Sequence, residues 1–251
     1  PAIALWLSRP MEEAPGEELN PAESRDLTLV ARSTWRYFET FVGESTHWLP
    51  PDNLQLEPEP VLAKRTSPTN VGVYLLSVAC ARDFAWIGAI EAIDRVERTL
   101  DTLDRLQRFH GHFLNWYDVE RLEPLQPRYV STVDSGNLAG HLLALSESLR
   151  DQLAGRRLLR EALAGIGHAM TLAEEAVAGA GAVRQGTVTR REVDAAITAV
   201  RRTLQPESIV EHEDRLGELD EAAADLVDVA RVFVSESPDG TARAFAFWAE
   251  A

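Results

Sequence analysis

Four short clusters of aromatic, carboxylate and amide residues hold most of the chemistry that this sequence offers. They read WLPPDN at 48–53, RTSPTN at 65–70, NWYD at 115–118 and VDSGNL at 133–138. Planar carboxylates and amides bridge neighbouring sugar hydroxyls, and indole or phenol rings cover the apolar face of a sugar ring. Because the clusters combine these residue types, they indicate carbohydrate binding.

Binding roles follow from residue type within the clusters. We expect ring stacking from Trp48, Trp116 and Tyr117. We expect contacts to sugar hydroxyls from Asp52, Asn53, Arg65, Asn70, Asn115, Asp118, Asp134 and Asn137. Helix starts, where unpaired backbone N–H groups add donors for ligand oxygens, are expected at Ser67, Pro68, Ser135 and Gly136.

Each cluster also has a structural explanation. Ser67-Pro68 and Asp134-Ser135 are ordinary capping sequences, and Trp48 beside two prolines would pin a loop. Arg65 would either contact a sugar or neutralise a buried aspartate. The 115–118 cluster favours binding most, since an aromatic pair between an amide and an acid is costly to bury without partners.

Glycoside chemistry requires two carboxyl groups, about 5–5.5 Å apart for retention and about 6.5–9.5 Å apart for inversion. Asp52, Asp118 and Asp134 are the acids within the clusters. Residue type does not distinguish a nucleophile from an acid among them. No catalytic residue is therefore assigned.

Other reaction classes lack their motifs. The sequence has no GxxxxGK[ST] phosphate loop, no GxSxG elbow and no HExxH zinc motif. His110 and His112 form the only close histidine pair. Because no further ligand lies at a suitable spacing, a role in fixing a loop explains them better than metal binding does. We expect neither a metal site nor a cofactor.

The net charge limits the classes of binding partner, and the cysteine content limits the possible disulfides. The chain has 40 Asp and Glu against 25 Lys and Arg, a net charge of −15, so we expect no nucleic-acid partner. The single cysteine, Cys80, forms no disulfide within the chain and is expected to pack as a small apolar residue.

Apolar residues spaced three to four apart predict an all-α chain. Helices are predicted at about 22–43, 66–83, 89–109, from 134, and at 158–180, 189–203 and 207–234. The helix at 66–83 is apolar nearly all round and should be buried. The helix at 89–109 belongs on an outer layer, because one apolar stripe holds Ile90, Ile93, Val96, Leu100, Leu103 and Leu106.

Long loops join these helices. A proline-rich loop covers 44–64, and 110–133 is irregular with room for a short hairpin. Alternation of buried and amphipathic helices suits a partial (α/α)6 toroid of helix pairs better than an up-down bundle. The alternative is a complete small helical bundle whose loops have no functional role.

The two ends of the sequence predict a piece of a longer arrangement. Residues 1–21 are expected to be the end of a membrane-proximal segment, closing at Arg9, followed by an acidic linker. Residues 22–251 are expected to be the N-terminal part of a helical domain that is incomplete at its C-terminus, because the apolar residues at 244–248 have no closing turn.

Six motifs occur in one order along the chain. They are TWRYFETFV at 34–42, WLPPDN at 48–53, RTSPTNVG at 65–72, ARDFAWIG at 81–88, GHFLNWYD at 111–118 and STVDSGNLAGHL at 131–142. Together they resemble the cyclic β-1,2-glucan synthases. The resemblance is specific over about 31–150, whereas the remainder offers no sharp motif.

In that family a membrane-embedded glucosyltransferase is followed by a glucoamylase-like (α/α)6 region and a phosphorylase-like region. The resemblance implies that this chain is the N-terminal part of the middle region, which binds linear β-1,2-glucan and supports its cyclisation by retaining transglycosylation. It implies as partners that glucan and the transferase and phosphorylase-like regions of the same parent chain, at the cytoplasmic face of the bacterial inner membrane. The catalytic glutamates are expected beyond Ala251.

Two other functions remain open at this point. The same barrel would be an endo-acting β-glucanase if water, not a sugar hydroxyl, resolved the intermediate. It would be a non-catalytic scaffold between the transferase and phosphorylase regions if the loop clusters were only structural.

Overall fold

The computed structural model describes residues 19–154, 159–179, 187–204, 214–236 and 239–251. Most of these residues are helical and their strands are two residues long, which confirms the all-α prediction. Residues 1–18, which make up most of the predicted membrane-proximal segment and linker, lie outside the described ranges. Within those ranges, no helix combines the length and apolar composition needed to cross a membrane.

The described helices follow one another with loops of very different length. They are α1 (Pro21–Phe41), α2 (Pro68–Asp83), α3 (Ala89–Arg105), α4 (Thr132–Ala154), α5 (Leu159–Gly179), α6 (Arg190–Thr203), α7 (Asp214–Glu236) and α8 (Gly240–Glu250). The antiparallel strand pairs are β1 (Leu54–Gln55) with β2 (Val61–Leu62), β3 (Arg65–Thr66) with β6 (Tyr117–Asp118), and β4 (Arg108–Phe109) with β5 (His112–Phe113).

Side-chain caps decide where the two helices nearest the clusters begin. Ser67 Oγ accepts a hydrogen bond from the Asn70 backbone N–H at 3.2 Å, which confirms the predicted cap of α2. The cap predicted for α4 is wrong. Ser131 Oγ accepts from the Asp134 N–H at 3.2 Å, and α4 begins at Thr132. The Asp134 side chain is therefore not used as a cap.

Two further predicted boundaries need correction. The helix predicted to reach Phe109 ends at Arg105, because Leu106 has extended backbone angles and a hairpin of β4 and β5 follows. His110 and Gly111 close that hairpin with positive φ angles of 49° and 85°. The predicted helix at 207–234 is described from residue 214 only, since 205–213 lie outside the described residues.

Helix α8 was not predicted at all. Asp239 Oδ1 accepts from the Ala242 N–H at 2.8 Å and caps it, while Phe245 and Trp248 are buried against α5 and α7. The apolar residues at 244–248 thus lie in a helix that packs into an apolar core, an element that the sequence analysis did not predict.

Helices α2 and α4 pack against each other and run parallel. Near their N-terminal ends Thr69 Oγ1 donates to Asp134 Oδ1 at 2.6 Å. Near their C-terminal ends Gln152 Nε2 donates to Asp83 Oδ1 at 3.2 Å. The predicted burial of α2 is confirmed, with a buried set that includes Val71, Tyr74, Leu75, Val78 and Ala81.

The apolar stripe predicted on α3 is only partly correct. Ile90 and Ile93 are 85% and 52% exposed, and Leu100 is also on the surface. Smaller side chains take their place, because the buried face of α3 consists of Ala92, Val96, Thr99, Thr102 and Leu103. The burial predicted for Cys80 is also wrong, since it lies two turns beyond Val73 on the solvent side of α2.

Helices α5 to α8 build a second core, and α1 contacts both cores. Arg32 of α1 is fully buried, and its Nη1 donates to Glu39 Oε2 at 2.7 Å. Its guanidinium carbon lies 5.7 Å from the ring centroid of Trp86, which precedes α3, and 4.9 Å from that of Trp248 on α8. This arginine therefore joins the two cores through contacts with aromatic rings.

We expect the free energy of unfolding to fall as the pH drops below about 6.5, because of His168 on α5. Trp86 Nε1 donates to His168 Nδ1 at 3.1 Å, and burial, together with the charge of Arg32, lowers the pKa of His168 below its ordinary value of 6.5. The unfolded chain binds this proton at higher pH than the folded chain does. The stabilisation is therefore complete above the unfolded pKa and is lost as the pH falls toward the folded pKa.

Urea unfolding at about pH 7.5 and about pH 5.5 measures this loss. His168→Gln should shrink the difference between the two midpoints, whereas His112→Gln, in the exposed hairpin, should leave it unchanged. An undiminished difference in His168→Gln would contradict the assignment.

Candidate functional site

Strand pairing joins two of the predicted clusters. In the β3–β6 pair, Arg65 lies opposite Asp118 and Thr66 lies opposite Tyr117. Strand β3 leads directly into the first turn of α2 through Ser67. The 65–70 and 115–118 clusters therefore meet at the N-terminal end of α2.

Asp52 connects the 48–53 cluster to the same place. Its Oδ2 accepts from Arg65 Nε at 3.2 Å, from Arg65 Nη2 at 3.1 Å and from Asn53 Nδ2 at 3.0 Å, while Oδ1 accepts from Asn70 Nδ2 at 3.1 Å. The Asp52 side chain is 17% exposed, so Arg65 pairs with a partly buried aspartate, the kind of contact that the structural explanation of Arg65 predicts. The carboxylate fixes the positions of one guanidinium and two amides.

Arg65 also holds the ring of Trp116. The guanidinium carbon lies 4.6 Å from the centroid of this half-buried indole, within the range of a cation–π contact. The Arg65 side chain itself remains 49% exposed. A ring fixed in this way loses little freedom when a ligand stacks on it.

The 133–138 cluster reaches the site from the first turn of α4. Thr69 Oγ1 donates to Asp134, and Asn137 Nδ2 donates to Thr69 Oγ1 at 3.1 Å. Burial alone would raise the pKa of Asp134, but hydrogen bonds from Ser131, Thr69 and Ser67 outweigh burial and hold that pKa below 3.8. Asp134 is thus a carboxylate that ties the starts of α2 and α4 together.

Two residues of the 115–118 cluster are almost fully buried and bond within the protein. Asn115 is 3% exposed and accepts from the Tyr129 N–H at 3.3 Å. Tyr117 is 1% exposed, and its hydroxyl donates to Gln107 O at 2.8 Å and accepts from the backbone N–H of Leu114. In this structure both side chains position the loop that carries Trp116.

Asp118 closes a turn at the end of β6. Its Oδ1 accepts from the N–H groups of Glu120 and Arg121 at 2.9 Å each, and its Oδ2 pairs with the Arg121 guanidinium at 3.1 Å. Burial raises the pKa of Asp118, but these hydrogen bonds and the charge of Arg121 outweigh burial and lower the pKa overall.

A cavity of about 510 Å³ adjoins the Asp52 cluster. Asp52, Asn53 and Asn70 form its polar part, and apolar walls come from Tyr37, Phe38, Pro51, Leu54, Leu56 and Val73. An apolar cavity of this size with a few fixed polar groups is typical of a small-molecule site. We call it the Asp52 cavity.

Sequence reasoning missed the two rings of the Asp52 cavity. Tyr37 donates from its hydroxyl to Pro51 O at 3.0 Å, and burial together with the charge of Asp52 raises its pKa to about 12. Tyr37 and Phe38 lie in the 34–42 motif, which was used only for the resemblance. The aromatic pair in that motif was the available signal.

The structure places Trp48 elsewhere. Its ring lies 5.0 Å from the guanidinium carbon of Arg98 and 5.8 Å from that of Arg95, both on α3. It lines a different cavity, which shares no lining residue with the Asp52 cavity. Trp48 is therefore separated from the other predicted binding residues.

Asp118 and Asp134 do not resemble a general acid. Asp118 and Asp134 have lowered pKa values, whereas a general acid needs a raised one. In the described part of the chain, no group of three or more His, Cys, Asp or Glu side chains is arranged to hold a metal ion. The arrangement is suited to binding a polyhydroxylated ligand by fixed amides, a guanidinium and aromatic rings.

The sequence is similar to a segment of a much longer protein. No family model matches it. Over 178 residues, 70% of its length, it is 48% identical to the cyclic beta-(1,2)-glucan synthase NdvB of Rhizobium meliloti. This homology confirms the resemblance to the cyclic β-1,2-glucan synthases. The match covers 6% of that relative, so the synthase's overall activity, substrates and partners are proposals for this chain.

The motifs that resemble cyclic β-1,2-glucan synthases build the site. The 34–42 motif supplies Tyr37 to the Asp52 cavity, and the 65–72 and 111–118 motifs supply the β3–β6 pair. The 131–142 motif supplies Asp134 and also His141, which packs on Gly72 so closely that a Cβ atom there would lie 2.3 Å from its Nδ1.

Proposed function

We propose that this chain binds linear β-1,2-glucan within a cyclic β-1,2-glucan synthase and supports its cyclisation. One observation carries the proposal. Residues from four sequence clusters, Asp52, Arg65–Asn70, Trp116 and Asp134–Asn137, converge at the N-terminal ends of two parallel helices. Amides, a guanidinium and rings in one place match what a glucan offers, which is hydroxyls and apolar ring faces.

Helix directions support a place in an (α/α)6 toroid. Helices α2 and α4 are parallel neighbours, and α3 runs in the opposite direction, since Gln107 just beyond α3 accepts a hydrogen bond from Tyr117 at the starting end of α2. In such a toroid, the inner helices of consecutive helix pairs are parallel, as α2 and α4 are. We propose that 22–251 is the N-terminal part of this glucoamylase-like domain and that 1–21 is the membrane-proximal segment with its linker.

The proposal assigns binding to this chain and the covalent chemistry to glutamates elsewhere in the parent protein. Retaining transglycosylation needs a nucleophile and an acid/base group, and the pKa values of Asp118 and Asp134 suit neither a proton donor nor a proton shuttle at neutral pH. The transferase and phosphorylase-like regions would be its partners, at the cytoplasmic face of the inner membrane.

Direct titration tests the proposal. We expect saturable binding of linear β-1,2-gluco-oligosaccharides, measured by calorimetry, and weaker or no binding of β-1,3- and β-1,4-linked oligomers. Trp116→Ala should weaken binding about tenfold by removing the stacking surface. Phe109→Ala serves as control, because that ring is exposed on the β4–β5 hairpin and takes no part in the contacts that join Asp52, Arg65 and Trp116.

The hydrogen bonds that the clusters make within the protein favour the scaffold alternative. Asn115, Tyr117 and Asp118 all bond within the protein, as purely structural residues do. A folded chain that binds none of the oligomers would favour that alternative. An endo-β-glucanase would bind the same ligand, and linear in place of cyclic products from the full-length protein would identify it.

A further inference from the structure

The cavity that holds Trp48 lies between the turn at 44–48 and helix α3. Its volume is about 630 Å³, and the residues that line it include Trp48, Glu44, His47, Arg98, Asp101 and Arg105. We call it the Trp48 cavity. Leu49, which is fully buried, separates it along the chain from the Pro50–Asn53 side of the Asp52 cavity.

The backbone holds Trp48 in an unfavourable conformation to place its ring there. His47 and Trp48 have φ angles of 51° and 64°, in the left-handed region that bulky residues rarely adopt. The Trp48 N–H donates to Gly43 O at 2.9 Å and fixes the conformation. Thr99 Oγ1 also lies 3.0 Å from Trp48 O, which shares the hydroxyl proton with Arg95 O at 2.7 Å. Such strain is concentrated at ligand-binding positions.

The walls of the Trp48 cavity offer both donors and acceptors around the indole. Arg98 stands 5.0 Å from the ring centroid, and Arg105 Nη2 donates to Thr102 Oγ1 at 2.7 Å, which orients its guanidinium in the wall. Glu44 and Asp101 supply carboxylates. A polyanion is disfavoured by these carboxylates, whereas a neutral sugar uses all three features: the ring face, the donors and the acceptors.

We propose that the Trp48 cavity is a second saccharide-binding site, which holds the same glucan chain at a distance from the Asp52 cavity. The choice of a β-1,2-glucan as ligand rests on the proposed function. The existence of the second site rests on the cavity, the strained Trp48 and the charged walls. Two sites on one chain would keep a long flexible glucan bound while its end moves, because the second contact is intramolecular.

Fluorine NMR of the chain labelled with 5-fluorotryptophan tests the proposal. The chain has six tryptophans, and the variants Trp48→Phe and Trp116→Phe assign the two resonances that matter. On titration with a linear β-1,2-gluco-oligosaccharide too short to span both cavities, both resonances should shift, with different midpoints. Asp101→Asn should raise the midpoint of the Trp48 resonance about tenfold and leave that of Trp116 unchanged.

Glu97→Gln provides the matched control, because it removes a charge from α3 one turn before Asp101 and lies outside the Trp48 cavity. A shift at Trp116 alone would overturn the second site and leave the proposed function standing. A shift at Trp48 alone would overturn the location of the proposed site. Equal effects of Asp101→Asn on both midpoints would mean one continuous site, and no shift at either ring would reject both proposals.

Discussion

Replacing Gly165 by alanine is expected to lower the free energy of unfolding by about 3 kcal/mol. Gly165 lies on α5 and faces the loop between α2 and α3. A Cβ atom there would lie 2.0 Å from Ala85 O and 2.6 Å from Ala85 C. Both are backbone atoms, and Ala85 already has a φ of 56°. The contact can be relieved only by separating α5 from the first core.

Gly167→Ala on the same helix is the matched control. No atom lies within 4 Å of the position its Cβ would take, so the substitution should be neutral or stabilise by up to about 1 kcal/mol through helix propensity. Urea unfolding followed by circular dichroism measures both variants. If Gly165→Ala were as stable as Gly167→Ala, the two cores would not be packed as described.

Replacing Asp52 by alanine should abolish measurable glucan binding and lower the free energy of unfolding by about 2 kcal/mol. The substitution leaves the Asn70 amide without its acceptor, and it releases the Arg65 guanidinium that holds Trp116. The effect on stability is moderate because the Arg65 side chain is 49% exposed and regains water. The effect on binding is larger because three groups that we propose to contact the glucan lose their positions together.

Asn53→Ala separates these effects. Its side-chain amide donates to the same carboxylate, but the residue is exposed and no other side chain depends on it. We expect a change in stability within about 0.5 kcal/mol and a smaller loss of affinity, measured by urea unfolding and calorimetry. Normal binding by a folded Asp52→Ala variant would show that the Asp52 cavity is not the glucan site.

Local patterns in the sequence predicted the described helices other than α8. The capping serine before α2 and the apolar period of its first turns predicted that helix to within two residues, because caps and the i, i+4 ladder involve neighbours in sequence. The same locality led to errors. Asp134 and Ser131 are both good caps, and only the packing of α4 against Thr69 shows which one is used.

Burial was the property that the pattern predicted least well. Ile90 and Ile93 fit an apolar stripe, yet small residues such as Ala92 and Thr99 face the core because they allow α3 to lie close to its neighbours. Tyr117 fits a sugar-stacking residue by type, yet its hydroxyl is used inside the protein. Residue type states what a side chain can do, and packing decides where it is.

By itself, the sequence determined the all-α class, the resemblance to cyclic β-1,2-glucan synthases and the clusters in which polar and aromatic residues are concentrated. The tertiary structure alone decided that Arg65 pairs with Asp52 and that Tyr37 lines the Asp52 cavity, whereas Trp48 lines the Trp48 cavity. The reason is physical. These relations depend on a strand register between distant segments and on a left-handed backbone at Trp48, which contacts far along the chain hold in place.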